Sequence, residues 1–131
     1  MSAGYSGTPL WKKIGIREGH RVARIGMPDH VPALLDGVPH HEHVEDDADI
    51  VWWFVPDRAA FEAGLAAARR RMRTDGMLWV SWPKKTSALW RGLTEGDVRD
   101  AALQGDLVDV KVCAVDADWS ALKLVVRKEL R

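Results

Sequence analysis

The pattern of apolar and polar residues along the chain predicts alternating strands and helices. Residues 50–55 are apolar on both faces, which is typical of a central strand that helices cover on each side. A strand over residues 21–27 precedes this run, and another over residues 77–82 follows it. Asp75 and Gly76 are predicted to form the turn into the last of these strands.

Helical spacing appears after residue 56 and again after residue 93. Residues 57–73 carry apolar side chains on one helical stripe, and Asp57 can cap this helix. Thr94 and Asp97 have capping-box spacing and predict a helix over residues 95–103. The arginines near the end of the first of these helices are expected to form a solvated face: Arg69, Arg70, Arg71 and Arg73.

Toward the N-terminus the elements are shorter. Residues 1–20 are predicted to form an N-terminal segment that leads into the first strand and contains a short helix, which Thr8 is expected to cap. Residues 31–35 are predicted to form one or two helical turns. Residues 39–49 are polar, acidic and rich in histidine, which predicts an exposed loop with at most one very short edge strand.

The C-terminal stretch, residues 107–128, changes to strict alternation and predicts an antiparallel hairpin. Strands that alternate with helices build a mostly parallel sheet, because β-α-β crossovers return each strand in the same direction. Residues 1–131 are therefore predicted to form a single α/β domain, a Rossmann-like three-layer fold with a C-terminal antiparallel β-hairpin.

Two resemblances follow from particular segments. GIREGHRV (15–22) and DGMLWV (75–80) resemble class I methyltransferases, so the fold looks like a truncated core of that kind. Four other segments resemble a family of small uncharacterised bacterial proteins that share domain of unknown function 3052. They are GYSGTPL (4–10), WVSWPKK (79–85), DVKVCAVD (109–116) and WS (119–120). This second resemblance implies no assigned activity.

The methyltransferase resemblance implies a cofactor loop after the first strand, with an acidic residue followed by glycines at alternate positions. In this sequence Arg24 stands in the place of the acid and Gly26 is kept, but Pro28 and His30 replace the next two glycines. Proline removes an amide donor and fixes φ. S-adenosylmethionine is therefore not expected to bind in the usual manner, and no cofactor is predicted.

Ligands of open parallel sheets bind outside the carboxyl ends of the strands. The candidate ligand-binding residues at these ends are Gly26, Pro28, Asp57, Arg58, Trp82, Lys84 and Lys85. The lysines could hold a small anion, with Arg58 and the start of the helix after Asp57 assisting. In the alternative interpretation, the lysines are only solvated residues at the end of a strand.

Other candidate chemistry is weaker. His40, His41 and His43 lie among acids, but neighbouring residues of a loop rarely converge on one metal ion, so no metal site is predicted. No nucleophile motif surrounds a serine, and Cys113 is expected to be a core residue. Trp11, Trp90 and Trp119 lie beside polar segments and could form a partner surface.

Charge and composition narrow the classes of function. Nineteen basic residues balance 19 acidic ones without a basic stripe, so nucleic acid is not an expected partner. The chain has one cysteine and no apolar run long enough to span a membrane, which together favour a cytoplasmic protein that does not bind membranes.

The leading hypothesis is a non-catalytic module that binds a small anion or a protein partner. One alternative is an enzyme, either an aberrant methyltransferase or another enzyme that uses the same crevice. Another alternative is a structural protein that forms homodimers. The loop 26–30 distinguishes the first two, because an enzyme needs cofactor space beside Gly26.

Overall fold

The computed structural model of the chain describes residues 8–31 and 42–131. Within these residues, one six-stranded sheet runs through the molecule in the order β2-β1-β3-β4-β6-β5. The elements are α1 (Leu10–Ile14), β1 (Arg21–Ile25), β2 (Glu42–His43), β3 (Ala48–Phe54), α2 (Arg58–Arg70), β4 (Met72–Pro83), α3 (Glu95–Gln104), β5 (Leu107–Ala114), β6 (Trp119–Val126) and a final 3-10 turn, Lys128–Leu130.

The sheet is mixed in the way that the alternation of elements predicts. β1 pairs in parallel with β2 and β3, and β3 pairs in parallel with β4. β6 then runs antiparallel between β4 and β5. The predicted fold class, a Rossmann-like α/β domain that ends in an antiparallel hairpin, is confirmed. No helix in the described part of the chain is long and apolar enough to cross a membrane.

The central strands carry the core, and β3 is buried along nearly its whole length. The predicted turn at Asp75 and Gly76 is wrong, because both residues lie inside the twelve-residue strand β4. A register shift between Ala48 and Ile50 brings backbone carbonyls against this part of β4. A Cβ on Gly76 would lie 2.8 Å from the carbonyl oxygen of Asp49, so glycine is required for close contact and not for a turn.

Two helices cover one face of the sheet, here called the α2/α3 face. Phe61 and Ala68 of α2 and Val98 and Ala102 of α3 pack on this side. Both predicted caps are confirmed: the Asp57 side chain accepts a hydrogen bond from the Ala60 amide, and Thr94 forms a capping box with Asp97.

The arginines near the end of α2 form the predicted solvated face in part: Arg70 and Arg73 are exposed, whereas Arg69 and Arg71 are half-buried. Arg69 pairs with Asp106, Arg71 with Glu45 and Arg73 with Asp49 and Asp75. The pairs with Asp106, Glu45 and Asp49 join the region around α2 to neighbouring loops or strands, whereas Asp75 lies on the same strand as Arg73.

Among the described residues, the opposite side of the sheet, here called the α1 face, is covered by one short helix and by loops. Leu10 and Ile14 of α1 are buried there. The Trp79 indole N–H donates to the Ile14 carbonyl oxygen over 2.8 Å and fixes the end of α1 to the sheet. Thr8 does not cap α1 as predicted, because the N-cap residue is Pro9 and no side chain caps the helix.

The described part of the acidic segment is exposed and holds a strand of two residues, β2. β2 pairs with Arg21 and Val22, at the amino end of β1. Residues 44–49 then pass to β3 on the other side of β1, and the Arg21 amide donates to the Asp49 carboxylate over 2.8 Å. The predicted helical turn at 31–35, except for Val31, and residues 39–41 of the loop lie outside the described residues.

The C-terminal hairpin contains an irregularity that decides which way its side chains point. Asp109 pairs with Leu124, but Lys111 pairs with Lys123, so Val110 is an extra residue in β5 and forms a β-bulge. Leu124 belongs to the α2/α3 side. The bulge therefore leaves Asp109 on that side and moves Lys111 to the α1 face, although strict alternation would keep the two side chains together.

Candidate functional site

Three loops meet at the carboxyl ends of the parallel strands, where open sheets bind ligands. They follow β1, β3 and β4. The hairpin turn, residues 115–118, joins them because β6 starts where β4 ends: the Lys84 amide donates to the Asp118 carbonyl oxygen over 2.7 Å.

Gly26 opens the loop after β1 in a left-handed conformation, with φ of 66°. A Cβ at this position would lie 2.8 Å from the Phe54 carbonyl oxygen, at the end of β3. Both the backbone conformation and the close contact require glycine. Pro28 follows in a half-buried position, and its carbonyl accepts a hydrogen bond from the Val31 amide.

The loop after β1 is tied to the hairpin turn by a side-chain hydrogen bond between His30 and Asp116. His30 Nε2 lies 2.6 Å from Asp116 Oδ2. Burial raises the pKa of Asp116, but the hydrogen bond from His30 and those from the amides of Asp118 and Trp119 outweigh it and lower this pKa overall. Sequence reasoning missed Asp116, because its partner is 86 residues away along the chain.

Beneath the hydrogen bond between His30 and Asp116, apolar side chains fill the edge of the sheet at the carboxyl ends of the parallel strands. Phe54 and Trp119 pack edge to face with ring centroids 5.2 Å apart. Val31 and Val115 are buried in the same cluster. Trp119 is therefore mainly a core residue, while Trp90 is 37% exposed.

The candidate residues after β3 are occupied with structural contacts. The Asp57 carboxylate already satisfies an amide at the start of α2. The Arg58 guanidinium donates to Asp97 Oδ2 over 2.7 Å and so links the N-termini of α2 and α3. The capping hydrogen bond with Thr94 is the largest cause that lowers the pKa of Asp97, and Arg58 adds to it.

The candidate residues after β4 divide into one core residue and two lysines. Trp82 is 5% exposed and packs on the α2/α3 side, so its ring does not line an open crevice. Lys84 is half-buried and Lys85 is exposed. Neither lysine forms an ion pair with a carboxylate of residues 8–31 or 42–131.

The segment of residues 84–91, which we call the rim loop, has a defined conformation. Ser87 Oγ donates to Asp118 Oδ1 over 2.7 Å and accepts from the Leu89 amide. The Trp90 indole N–H donates to the Leu93 carbonyl oxygen. Leu89 is 45% exposed. The Arg91 guanidinium donates to the backbone carbonyls of Ala88 and Trp90. Sequence reasoning singled out the lysines but missed Leu89 and Arg91.

The remaining candidates lie away from this edge. His43 is exposed on β2, while His40 and His41 lie outside the described residues. In the part of the chain that the structure describes, no cluster of histidine, cysteine and acidic side chains could hold a metal ion. Cys113 is half-buried, and burial raises the pKa of its thiol, although Lys13 and Lys111 oppose the shift.

Known structures share this fold. A protein from Sulfolobus solfataricus that is assigned as a type 11 methyltransferase superposes with a TM-score of 0.60 at 12% identity. The superposition covers 91% of this chain and 90% of that one. A TehB-like SAM-dependent methyltransferase from Corynebacterium glutamicum gives 0.57 at 13% identity, with 90% and 85% covered. A SAM-dependent methyltransferase from Aquifex aeolicus gives 0.57 at 14% identity, with 90% and 88% covered. The superpositions show a class I methyltransferase-like fold. At identities this low they carry no information about activity.

Sequence comparison gives one family. The model described as "Protein of unknown function (DUF3052)" matches residues 12–128. No curated protein matches the chain.

Proposed function

The chain belongs to the DUF3052 family of proteins of unknown function, and we propose that it is a binding module whose rim loop docks an acidic partner protein. One observation carries this proposal. The rim loop presents Lys84, Lys85 and Arg91, which make no ion pair with the described carboxylates, beside the exposed side chains of Leu89 and Trp90.

This composition fits a protein partner better than a small anion. Aromatic side chains and arginine, here Trp90 and Arg91, are enriched where proteins meet, and complementary charge steers and selects the partner. The hydrogen bonds through Ser87 and from the Trp90 indole hold the loop in place before binding. A preformed loop loses less conformational entropy on docking.

Features of the loop after β1 support the proposal that this chain does not bind S-adenosylmethionine, on which some of its structural neighbours depend. Arg24 stands where an acid is needed, and Pro28 offers no amide hydrogen. Gly26 is explained by its contact with the Phe54 carbonyl. β2 pairs only with the amino end of β1, so it brings no acid to the carboxyl edge where a ribose would lie. These features support a module without methyl transfer.

The test uses a fluorescein-labelled peptide of alternating glutamate and leucine as the acidic probe, with binding measured by fluorescence anisotropy. We expect saturable binding that the Lys84→Ala/Lys85→Ala variant weakens about tenfold. Raising the salt concentration should also weaken binding, because exposed charges are screened. The matched control is Lys128→Ala, an exposed lysine of the C-terminal turn. Equal affinities for the two variants would overturn the docking role of the rim loop.

A second arm addresses the enzymatic alternative. Isothermal titration of the unmodified protein with S-adenosylmethionine should show no saturable heat at micromolar concentrations. A clear isotherm, abolished by a bulky substitution in the loop after β1, would instead establish cofactor binding. The Lys84→Ala/Lys85→Ala variant should keep its thermal stability, because exposed charges contribute little to folding.

A further inference from the structure

A row of three paired residues crosses β4, β6 and β5 on the α1 face. Trp79 pairs with Lys123, and Lys123 pairs with Lys111. Directly opposed residues of antiparallel strands point to the same side of a sheet. The Trp79 indole contacts α1 through Ile14. Both lysines therefore project from the α1 face, next to the end of that helix.

Two lysines that oppose each other in this way repel. Their Cβ atoms are held about 5 Å apart by the strand pairing, and like charges at this spacing are unfavourable. Burial lowers the pKa of Lys123, and the charge of Lys111 lowers it further. Neither lysine forms an ion pair with a described carboxylate, so the repulsion is not offset within this part of the chain.

A third lysine approaches from α1. Lys13 precedes Ile14, whose carbonyl oxygen accepts the Trp79 hydrogen bond. Lys13 and Lys111 are both close enough to Cys113 to lower the pKa of its thiol, against the larger effect of burial. Cys113 is two residues from Lys111 and lies on the same face. Lys13 and Lys111 thus flank a half-buried thiol, and Lys123 opposes Lys111 on the neighbouring strand.

The position of Lys123 separates this arrangement from ordinary surface lysines. Lysines that protect a sheet from aggregation stand on edge strands and are fully solvated. Lys123 instead lies on an inner strand, between β4 and β5, and is half-buried beside a buried tryptophan. Lys111, on the edge strand β5, is exposed, so a bound anion that bridges the two ammonium groups would relieve their repulsion.

We propose that Lys13, Lys111 and Lys123, which we call the lysine row, bind the phosphate group of a small ligand above Cys113. Lysine is a common phosphate ligand that acts as a point charge. A dianion with three acceptor oxygens matches several neighbouring ammonium groups better than a single carboxylate does. This site is independent of the rim loop and of its proposed partner.

Nuclear magnetic resonance of carbon-13 dimethylated lysines can test the site, because methylation keeps the charge. Inorganic phosphate and phenyl phosphate are the probes, and acetate is the singly charged control. We expect both phosphates to shift the signals of the lysine row in a saturable manner. Tighter binding of phenyl phosphate would indicate an organic phosphate ester as the ligand, and equal binding would indicate free phosphate.

Variants decide whether the lysine row is the site. Lys111→Gln/Lys123→Gln should bind phosphate about tenfold more weakly, and Lys84→Ala/Lys85→Ala should bind it as the unmodified protein does. Lys13→Gln, a change on the surface of a helix, provides a second weakening variant should the double substitution disturb folding. Unchanged affinity in the lysine-row variants, or shifts confined to Lys84 and Lys85, would overturn the proposal. Acetate binding as tightly as phosphate would also overturn it.

Bound ligand should also slow alkylation of Cys113 by iodoacetamide, because the phosphate group would lie above the thiol. Loss of peptide docking in the rim-loop variants would leave this protection unchanged. The two proposals can therefore fail separately.

Discussion

The two faces of the sheet differ in how they hold positive charge. On the α2/α3 face, arginines join the helices to each other and to the C-terminal hairpin. The pairs are Arg58 with Asp97, Arg69 with Asp106, and Arg99 with Glu95 and Asp109. The hydrogen bonds that Arg99 donates to Asp109 and Glu95 raise the pKa of Arg99, and the hydrogen bond that Arg69 donates is the largest cause that lowers the pKa of Asp106.

On the α1 face, Lys13, Lys111 and Lys123 form no ion pair with a carboxylate of the described residues; Arg24 lies on this face too, because it pairs with Trp52. The difference follows from the side chains. The planar guanidinium of arginine forms bidentate bonds that fix one geometry, whereas an ammonium group is a compact charge on a flexible stem. The comparison therefore teaches that the paired arginines fasten elements together, whereas the proposed binding role falls to lysines that form no ion pair with a described carboxylate.

The largest expected effect comes from disrupting the α1 face without removing a lysine. Trp79→Phe leaves the buried Ile14 carbonyl without its indole donor. We expect a loss of about 1–3 kcal/mol in the free energy of unfolding, measured with urea, because a buried acceptor is left unsatisfied. Phosphate binding should weaken too, since Lys13 is positioned by the same helix. Unchanged stability would mean that α1 is held by apolar contacts alone.

A smaller loss is expected when an arginine of the α2/α3 face is removed. Arg69→Met should lower the free energy of unfolding at neutral pH by up to about 1 kcal/mol, a range that allows for solvent screening. The folded-state pKa of Asp106 is lowered, so the pair adds stability above the unfolded-state pKa of this carboxyl group. That stability is lost as the pH falls through the folded-state pKa.

Urea unfolding at neutral and acidic pH would therefore show the difference between the Arg69→Met variant and the unmodified protein shrinking in acid. A difference that stays constant down to acidic pH would show that Arg69 acts by packing.

The smallest effect should have the opposite sign. Lys123→Met is expected to raise the free energy of unfolding at neutral pH by a few tenths of a kcal/mol, because it removes a like-charge pair. The pKa of Lys123 is lowered on folding, so this gain is full below the folded-state pKa. It declines as the pH rises through that pKa.

Thermal unfolding with and without phosphate would check this prediction. Phosphate should stabilise the unmodified protein more than the Lys123→Met variant, since only the former keeps the complete lysine row. Destabilisation by Lys123→Met at neutral pH would show that the charge is already compensated.

Local signals in the sequence predicted the elements well where the physics is local. Asp57 and the box of Thr94 and Asp97 cap their helices as predicted, because a cap acts over three residues. The apolar run of β3 also identified a strand buried on both sides. Gly76 was misread because glycine serves turns and close contacts equally, and only the approach of the Asp49 carbonyl distinguishes them.

The candidate sites depended on contacts that the sequence does not contain. The hydrogen bond between His30 and Asp116 joins two side chains that are 86 positions apart along the chain. The lysine row depends on the bulge at Val110, because strict alternation would have placed Lys111 beside Asp109. Lys84 and Lys85 could be assigned to the carboxyl edge because both directly follow a strand.

The bulge at Val110 also affects self-assembly, through the outer side of β5. This strand ends the sheet, and Val110 and Val112 are about half exposed on it. A flat strand of this length would be a template on which further copies could stack into fibrils. One extra residue interrupts the spacing of the free amides and carbonyls, so an incoming strand cannot stay in phase along all of β5. The irregularity that turns Lys111 toward α1 thus also limits the growth of the sheet.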